Sequence, residues 1–208
     1  VSETAVGHGV KDLKEFYHVY PDGKITAELA TETLALHADL VAAGRTLLDW
    51  IEEATPRSIR ARFSEPLPAM LEGSTQNLLR ILHYPPLDEP PEEGAVRAAA
   101  HGDINLITLL PAGSAPGLEA RDRAGRWRPV PCDPGMMVVN TGDMLEMASG
   151  GHYPSTLHRV VNPPAEEMRK PRFSLPMFCH PRPEVVLKPG TTADDFLKER
   201  LREIGLAS

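Results

Sequence analysis

Cysteine is nearly absent from this chain of 208 residues, with only Cys132 and Cys179 present. Two thiols cannot build the disulfide framework of a small secreted domain, and they point to a reducing interior. Long apolar runs are missing as well: none approaches the roughly 18 residues that a membrane-spanning helix needs. Nor is there a basic excess, since 22 Lys and Arg stand against 29 Asp and Glu for a formal net charge of −7. With no basic stripe, neither nucleic acid nor an anionic membrane surface is expected as the main partner. Internal repeats and low-complexity tracts are lacking. The first residues, VSETAVGHGVKDLKEF, show none of the charged, apolar and cleavage regions of a signal peptide, so a cytoplasmic protein is expected.

Proline and glycine are plentiful. Twenty-one prolines and 16 glycines favour short strands joined by turns over a helical bundle. The length suits one domain, read here as a helical flank over residues 1–76, a strand-rich core over 77–183 and a C-terminal helix over 184–208. Leu34, His37, Val41, Gly44, Leu48 and Ile51 recur every three or four residues without a proline, which predicts a helix over 26–54. Thr55-Pro56 closes it, with Pro56 at the first position of a following helix. DLKEFYHVY reads as a strand or short helix, and SEPLPAMLEG as a short helix or loop.

From residue 77 the periodicity changes. NLLRILHY, INLITLLP, GLEARD, GRWRPVP, GMMVVNTGDML, STLHRVVNP and RFSLPMFCHP follow at short intervals, bounded by Gly, Pro, Asn or Asp. Such spacing predicts a sandwich or barrel. A last helix is expected near 193–204, where Thr192 and Asp195 make a weaker capping box than a Ser/Glu pair. Met144 and Met147 are expected to pack at a strand edge, Trp127 in a hairpin, and both thiols to be inert. Glu92-Glu93 reads as a solvated loop.

The chain contains His-x-Asp twice, at His37-Ala38-Asp39 and His101-Gly102-Asp103. On a helix, residues two apart diverge by about 200°, so His37 and Asp39 cannot share an ion, and His37 belongs to the apolar stripe. On a strand, residues two apart face the same side, which lets His101 and Asp103 converge on one cation. A third ligand should also sit on a strand. His152 lies in the turn SGGHYP and His180 is followed by Pro181, whereas His158 lies within the β-branched run STLHRVV and is chosen. Two His and one carboxylate leave coordination positions open, as in non-haem Fe(II) oxygenases; zinc would more often take four ligands, cysteine among them. Downstream, strand alternation puts Arg172 and Ser174 on one face, a fork and a hydroxyl suited to a carboxylate.

Taken together, HGDINLITLL, GLEARDRAGRWRPVP, VVNTGD, YPSTLHRVVNP, RFSLPMF and LLRILHYPP resemble the isopenicillin N synthase-like branch of the Fe(II)/2-oxoglutarate-dependent oxygenases. The resemblance implies a mainly β double-stranded β-helix, or jelly roll, with flanking α-helices. It implies Fe(II) on His101, Asp103 and His158, and 2-oxoglutarate with its distal carboxylate on Arg172 and Ser174 near Tyr84. Asn140 is assigned to scaffolding, and Tyr153, Ser155 and Thr156 to setting the strand of His158. Departures are Leu82, where many relatives carry Asn, a long PPAEEMRKP stretch before Arg172, and an expected lack of the N-terminal segment that family members usually carry ahead of DLKEF. The implied reaction couples oxidative decarboxylation of 2-oxoglutarate by O2 to hydroxylation, desaturation or cyclisation of a small molecule. Ile104, Leu106 and Val160 are expected to line the site and exclude water. The alternatives are a 2-oxoglutarate-independent Fe(II) oxidase of the isopenicillin N synthase type and a non-catalytic jelly-roll binding module.

Overall fold

In the computed structural model, residues 12–23, 25–92 and 94–203 are described. Expectations for residues 1–11, for Glu93 and for the chain beyond 203 lie outside them. The predicted long helix forms as α1, Ala27–Ala54, and buries His37, Leu40, Gly44 and Leu48, spaced by three and four residues. Short helices α2, Arg57–Arg60, and α3, Leu67–Met70, follow. Pro56 caps α2 from outside it and does not occupy its first position.

Twelve strands are present among the described residues: β1 Glu15–Val19, β2 Leu78–Tyr84, β3 Ala98–His101, β4 Ile107–Pro111, β5 Leu118–Arg121, β6 Trp127–Pro129, β7 Met137–Thr141, β8 His158–Val160, β9 Arg172–Ser174, β10 Met177–Cys179, β11 Val186–Lys188 and β12 Thr191–Thr192. Strands β1-β2-β10-β4-β7 form one antiparallel sheet, with β9 also paired to β2, and β3-β8-β5-β6 form a second. DLKEFYHVY is therefore a strand, joined to β2 over five residue pairs. RFSLPMFC is two strands, because Leu175-Pro176 interrupts it and Pro176 has no N–H to give a ladder.

Alternation gives the larger sheet two different faces. Leu79, Ile107, Leu109, Met177 and Cys179 turn to α1 and form the main core with Leu40 and Leu48. A fully buried leucine such as Leu48 contributes about 1.5–3 kcal/mol. Gly44 allows this approach, since a Cβ there would lie 2.8 Å from the Cys179 sulfur. Leu82, Tyr84, Thr108, Arg172 and Ser174 turn the other way, toward the second sheet. Leu82 and Tyr84 meet Ala98 and Val160 there in a smaller cluster.

Three expectations need correction. GDMLEMASG is not strand: it folds as helix α4, Asp143–Ser149, stopped by Gly150 at φ 64°. Met144 is buried in the main core there and Met147 packs against it, so neither is at a strand edge. Residues 184–208 are not only a helix, because the β11-β12 hairpin precedes α5, Ala193–Glu203. Thr192 and Asp195 do form a capping box: the Asp195 N–H donates to Thr192 Oγ1 at 3.2 Å and the Thr192 N–H to Asp195 Oδ2 at 3.1 Å. Trp127 is half-buried beneath the Arg159 guanidinium, 4.3 Å from its ring centre, and Glu92 is exposed. No helix among the described residues is long and apolar enough to cross a membrane.

Candidate metal centre and its pocket

His101 ends β3 and lies opposite His158, the first residue of β8. Their ring centres are 4.4 Å apart. A register irregularity between Ala98 and His101 re-aims the end of β3. Asp103 is not on the strand, as expected from alternation, but on the turn just after it. That turn is secured from outside: the Asp143 N–H donates to the Asp103 carbonyl at 2.8 Å, and the Met144 N–H to that of Asn105 at 3.1 Å. Gly142 permits this close passage, since a Cβ on it would come within 2.3 Å of the Asn105 carbonyl. One ligand atom from each of His101, Asp103 and His158 lies within 4.8 Å of the others, a group that could hold a metal ion.

Each side chain is orientated by a bond made away from the meeting point. His101 Nδ1 donates to the Ala99 carbonyl at 2.7 Å, and His158 Nδ1 to that of Thr156 at 3.0 Å. With Nδ1 so used, Nε2 is the ring atom of each histidine that a neutral imidazole would offer as a lone pair. Thr108 Oγ1 and Asn140 Nδ2 donate to Asp103 Oδ2 at 2.6 and 2.8 Å, leaving Oδ1 to face His158 Nε2 at 3.7 Å. Asn105 Nδ2 in turn donates to Thr108 Oγ1 at 2.9 Å. Asn140 thus holds a candidate ligand, a closer role than the scaffolding expected of it. Strand alternation from Thr108 and the register pair Thr108–Asn140 are the features that place both on the ligand side.

Burial lowers the His101 pKa to about 4, helped by repulsion from His158 and only partly offset by Asp103. The ring keeps an open edge toward the pocket while lying deep in the protein, so it stays neutral and ready to ligate. For Asp103, burial would raise the pKa, but His158, His101 and the bonds from Asn140 and Thr108 outweigh it and hold the carboxyl below its ordinary range. Those two hydrogen bonds need neither ring to be charged. His152 and His180 stand outside the group. His37 is buried with Nε2 at 3.1 Å from the Asn77 carbonyl, as a core histidine should be, and Asp39 is exposed.

The same pocket reaches Arg172, Ser174 and Tyr84. Register explains the grouping, because Tyr84 pairs with Arg172 and Leu82 with Ser174 across β2 and β9. The 163–171 stretch therefore leaves Arg172 in place. Arg172 is 2% exposed, its guanidinium carbon lies 5.0 Å from the Tyr84 ring centre, and its Nε donates to the Ala115 carbonyl at 3.0 Å. Its buried NH1 has no hydrogen-bond partner, and no carboxylate pairs with it among the described residues. Burial pushes the Tyr84 phenol up, with Arg172 opposing. The apolar wall is Leu82, Leu110, Leu118, Val138 and Val160. Ile104 and Leu106 do not line it: they belong to the main core, because the turn after β3 reverses their facing. Tyr153 is tied to the end of α1, its hydroxyl 2.8 Å from Thr55 Oγ1, so it fixes the segment before β8 from outside the pocket.

Comparison with known proteins agrees with this architecture. The family model described as the 2OG-Fe(II) oxygenase superfamily matches residues 75–181. A Shewanella oneidensis protein assigned as an oxygenase is 52% identical, and its solved structure superposes with a TM-score of 0.86 over 94% of this chain and 73% of that one. A Neurospora crassa protein, solved in complex with alpha-KG and thymine, is 25% identical with a TM-score of 0.74, over 92% of this chain and 65% of that one. A 2-oxoglutarate-Fe(II) type oxidoreductase of Aspergillus fumigatus is 34% identical over 179 residues, 86% of this chain. The chain spans 46% of that relative's length. These relatives do not favour a 2-oxoglutarate-independent oxidase or a binding module, and the two sheets with their outer helices are those of the jelly-roll enzymes. The chain belongs to the 2OG-Fe(II) oxygenase superfamily, whose members use Fe(II), 2-oxoglutarate and O2.

Proposed function

We propose that the chain carries the catalytic centre of a 2-oxoglutarate-dependent dioxygenase that oxidises a small organic molecule. In this reading His101 Nε2, Asp103 Oδ1 and His158 Nε2 hold Fe(II), and Arg172, Ser174 and Tyr84 hold the distal carboxylate of 2-oxoglutarate. The observation that carries it is the Arg172 guanidinium, buried without a carboxylate in the pocket that also contains the three-ligand group. A buried, unneutralised cation is costly, and an anionic co-substrate removes that cost.

When bound, Fe(II) with 2-oxoglutarate supplies the oxidising chemistry: 2-oxoglutarate, O2 and R–H become succinate, CO2 and R–OH, or a desaturated or cyclised product with water. The chain's own residues do the positioning. Thr108 and Asn140 occupy one oxygen of Asp103 and present the other. The Ala99 and Thr156 carbonyls fix both imidazole tautomers. The apolar wall limits water at the reacting centre. We also place residues 77–183 as the catalytic jelly-roll core of one domain over 1–208, with 1–76 and 184–208 as its flanks. A cytoplasmic setting is supported by two cysteines that are both free.

The test is to supply Fe(II), 2-oxoglutarate and O2 and to measure succinate, with an anaerobic arm watching for the visible charge-transfer band of the metal–2-oxoglutarate complex. Succinate and a band that both vanish in His101→Ala support the reading. Iron stoichiometry unchanged in His101→Ala, or substrate turnover that ignores 2-oxoglutarate, overturns it.

A further inference from the structure

The 163–171 stretch, long for the family, does more than lead into Arg172. The Leu87 N–H, past the end of β2, donates to the Met168 carbonyl at 2.8 Å, and Asn162 Nδ2 donates to the Ala95 carbonyl, ahead of β3, at 2.7 Å. The same stretch holds Arg97, whose NH2 donates to the Lys170 carbonyl at 3.2 Å. Arg97 is 2% exposed, and its buried Nε has no hydrogen-bond partner.

The guanidinium carbon of Arg97 lies 5.8 Å from the centre of the Tyr84 ring, the ring that Arg172 faces at 5.0 Å. Two buried guanidiniums thus meet one phenol. No carboxylate of the described residues pairs with either of them. Asp12, the acid that acts on Tyr84, is held by Lys14 at 2.8 Å and receives the Ala99 N–H at 3.0 Å. Burial presses the Arg97 pKa down, repulsion from Arg172 adds to this, and Tyr84 opposes it. A neutral amide could give the one bond that the Lys170 carbonyl receives, so the charge needs another reason. An aromatic face stabilises a cation without neutralising it, and two like charges around one ring make a field that an added carboxylate relieves. Tyr84 and Arg172 line the pocket and Arg97 does not. It reaches a ligand only through its charge and through the ring it holds.

We infer that Arg97 is a positioning residue for the co-substrate: held beside Tyr84 by the 163–171 stretch, it adds a second positive charge to the Arg172 end and sets how strongly a distal carboxylate is preferred there. The inference rests on the dioxygenase reading and deepens it.

The test compares 2-oxoglutarate with 2-oxovalerate, which has the same keto-acid end and chain length but no distal carboxylate. Both are titrated calorimetrically into the full chain loaded with Mn(II), and the KM for 2-oxoglutarate is read from succinate formation with Fe(II). The wild type should prefer 2-oxoglutarate by at least about 100-fold, and Arg97→Gln should cut that preference about tenfold by weakening 2-oxoglutarate alone. KM for 2-oxoglutarate should rise by a similar factor, with kcat changed much less. Arg97→Lys, which keeps the charge, should retain the preference within about threefold. Arg97→Met is the second neutral variant if Arg97→Gln does not fold. If neither folds, Arg97→Lys decides, since loss of the preference there would overturn the inference. A neutral variant that weakens both acids equally, or neither, would overturn it too, because that is the mark of a purely structural role. A wild type with no preference would overturn it together with the co-substrate reading. A preference that Arg172→Gln removes and the neutral Arg97 variants leave intact would overturn this inference alone.

Discussion

His37-Ala38-Asp39 and His101-Gly102-Asp103 have the same spacing and opposite fates. On α1 the histidine is buried against the Asn77 carbonyl while the aspartate points to solvent, so the pair is divided between core and surface. At the end of β3 both side chains turn into one pocket and meet a third ligand from β8. The middle residue matters as well. Ala38 is an exposed helix position, whereas a Cβ on Gly102 would lie 2.8 Å from Ser155 Oγ. A ligand motif therefore has meaning only through the backbone that carries it.

The sharpest way to break this comparison is to remove each carboxylate. Asp103→Ala should lower metal affinity by at least about 100-fold and abolish succinate formation, while Asp39→Ala should leave both unchanged, as read by metal titration and turnover. A loss in the second variant would sink the distinction between the two motifs. Next come the residues that hold Asp103. Thr108→Val and Asn140→Leu should each cost about 10–100-fold in metal affinity, with native circular dichroism preserved. Smaller still is His37→Leu, which leaves the Asn77 carbonyl without its buried partner. It should cost about 1–3 kcal/mol in denaturant unfolding without altering metal affinity. The smallest effect belongs to Ala38→Gly, about 1 kcal/mol of stability from an exposed helix position, measured the same way.

Much of the site could be read from local pattern because its chemistry sits on strands with clear alternation. His158 in STLHRVV and Arg172 with Ser174 in RFS appear where period-two reasoning puts them. Asp103 reaches the expected meeting point by another route: it lies past the strand, on a turn secured by the start of α4. That helix itself is hidden in the sequence, since MLEM after a strand-like MMVVN carries too few residues to show a period of 3.6. The β11-β12 hairpin is hidden for a similar reason, as strands of three and two residues have almost no periodicity to detect. Extending the alternation of β4 backward puts Ile104 and Leu106 in the pocket, but alternation no longer holds through the turn they occupy.

By itself the sequence determined the long amphipathic α1, the succession of short strands and the identities of the chemically able side chains. Each of these is a local property, set by side-chain periodicity and by where glycine and proline interrupt it. Only the tertiary structure decided that Thr108 and Asn140 converge on Asp103, that Tyr84 lies against Arg172, and that Arg97 brings a second guanidinium to the same ring. Those outcomes depend on strand order and register across residues far apart in the chain, as with Tyr84 and Arg172. The pairing of distant strands is a global compromise among core packing, hydrogen bonding and twist, and no short stretch of chain contains it.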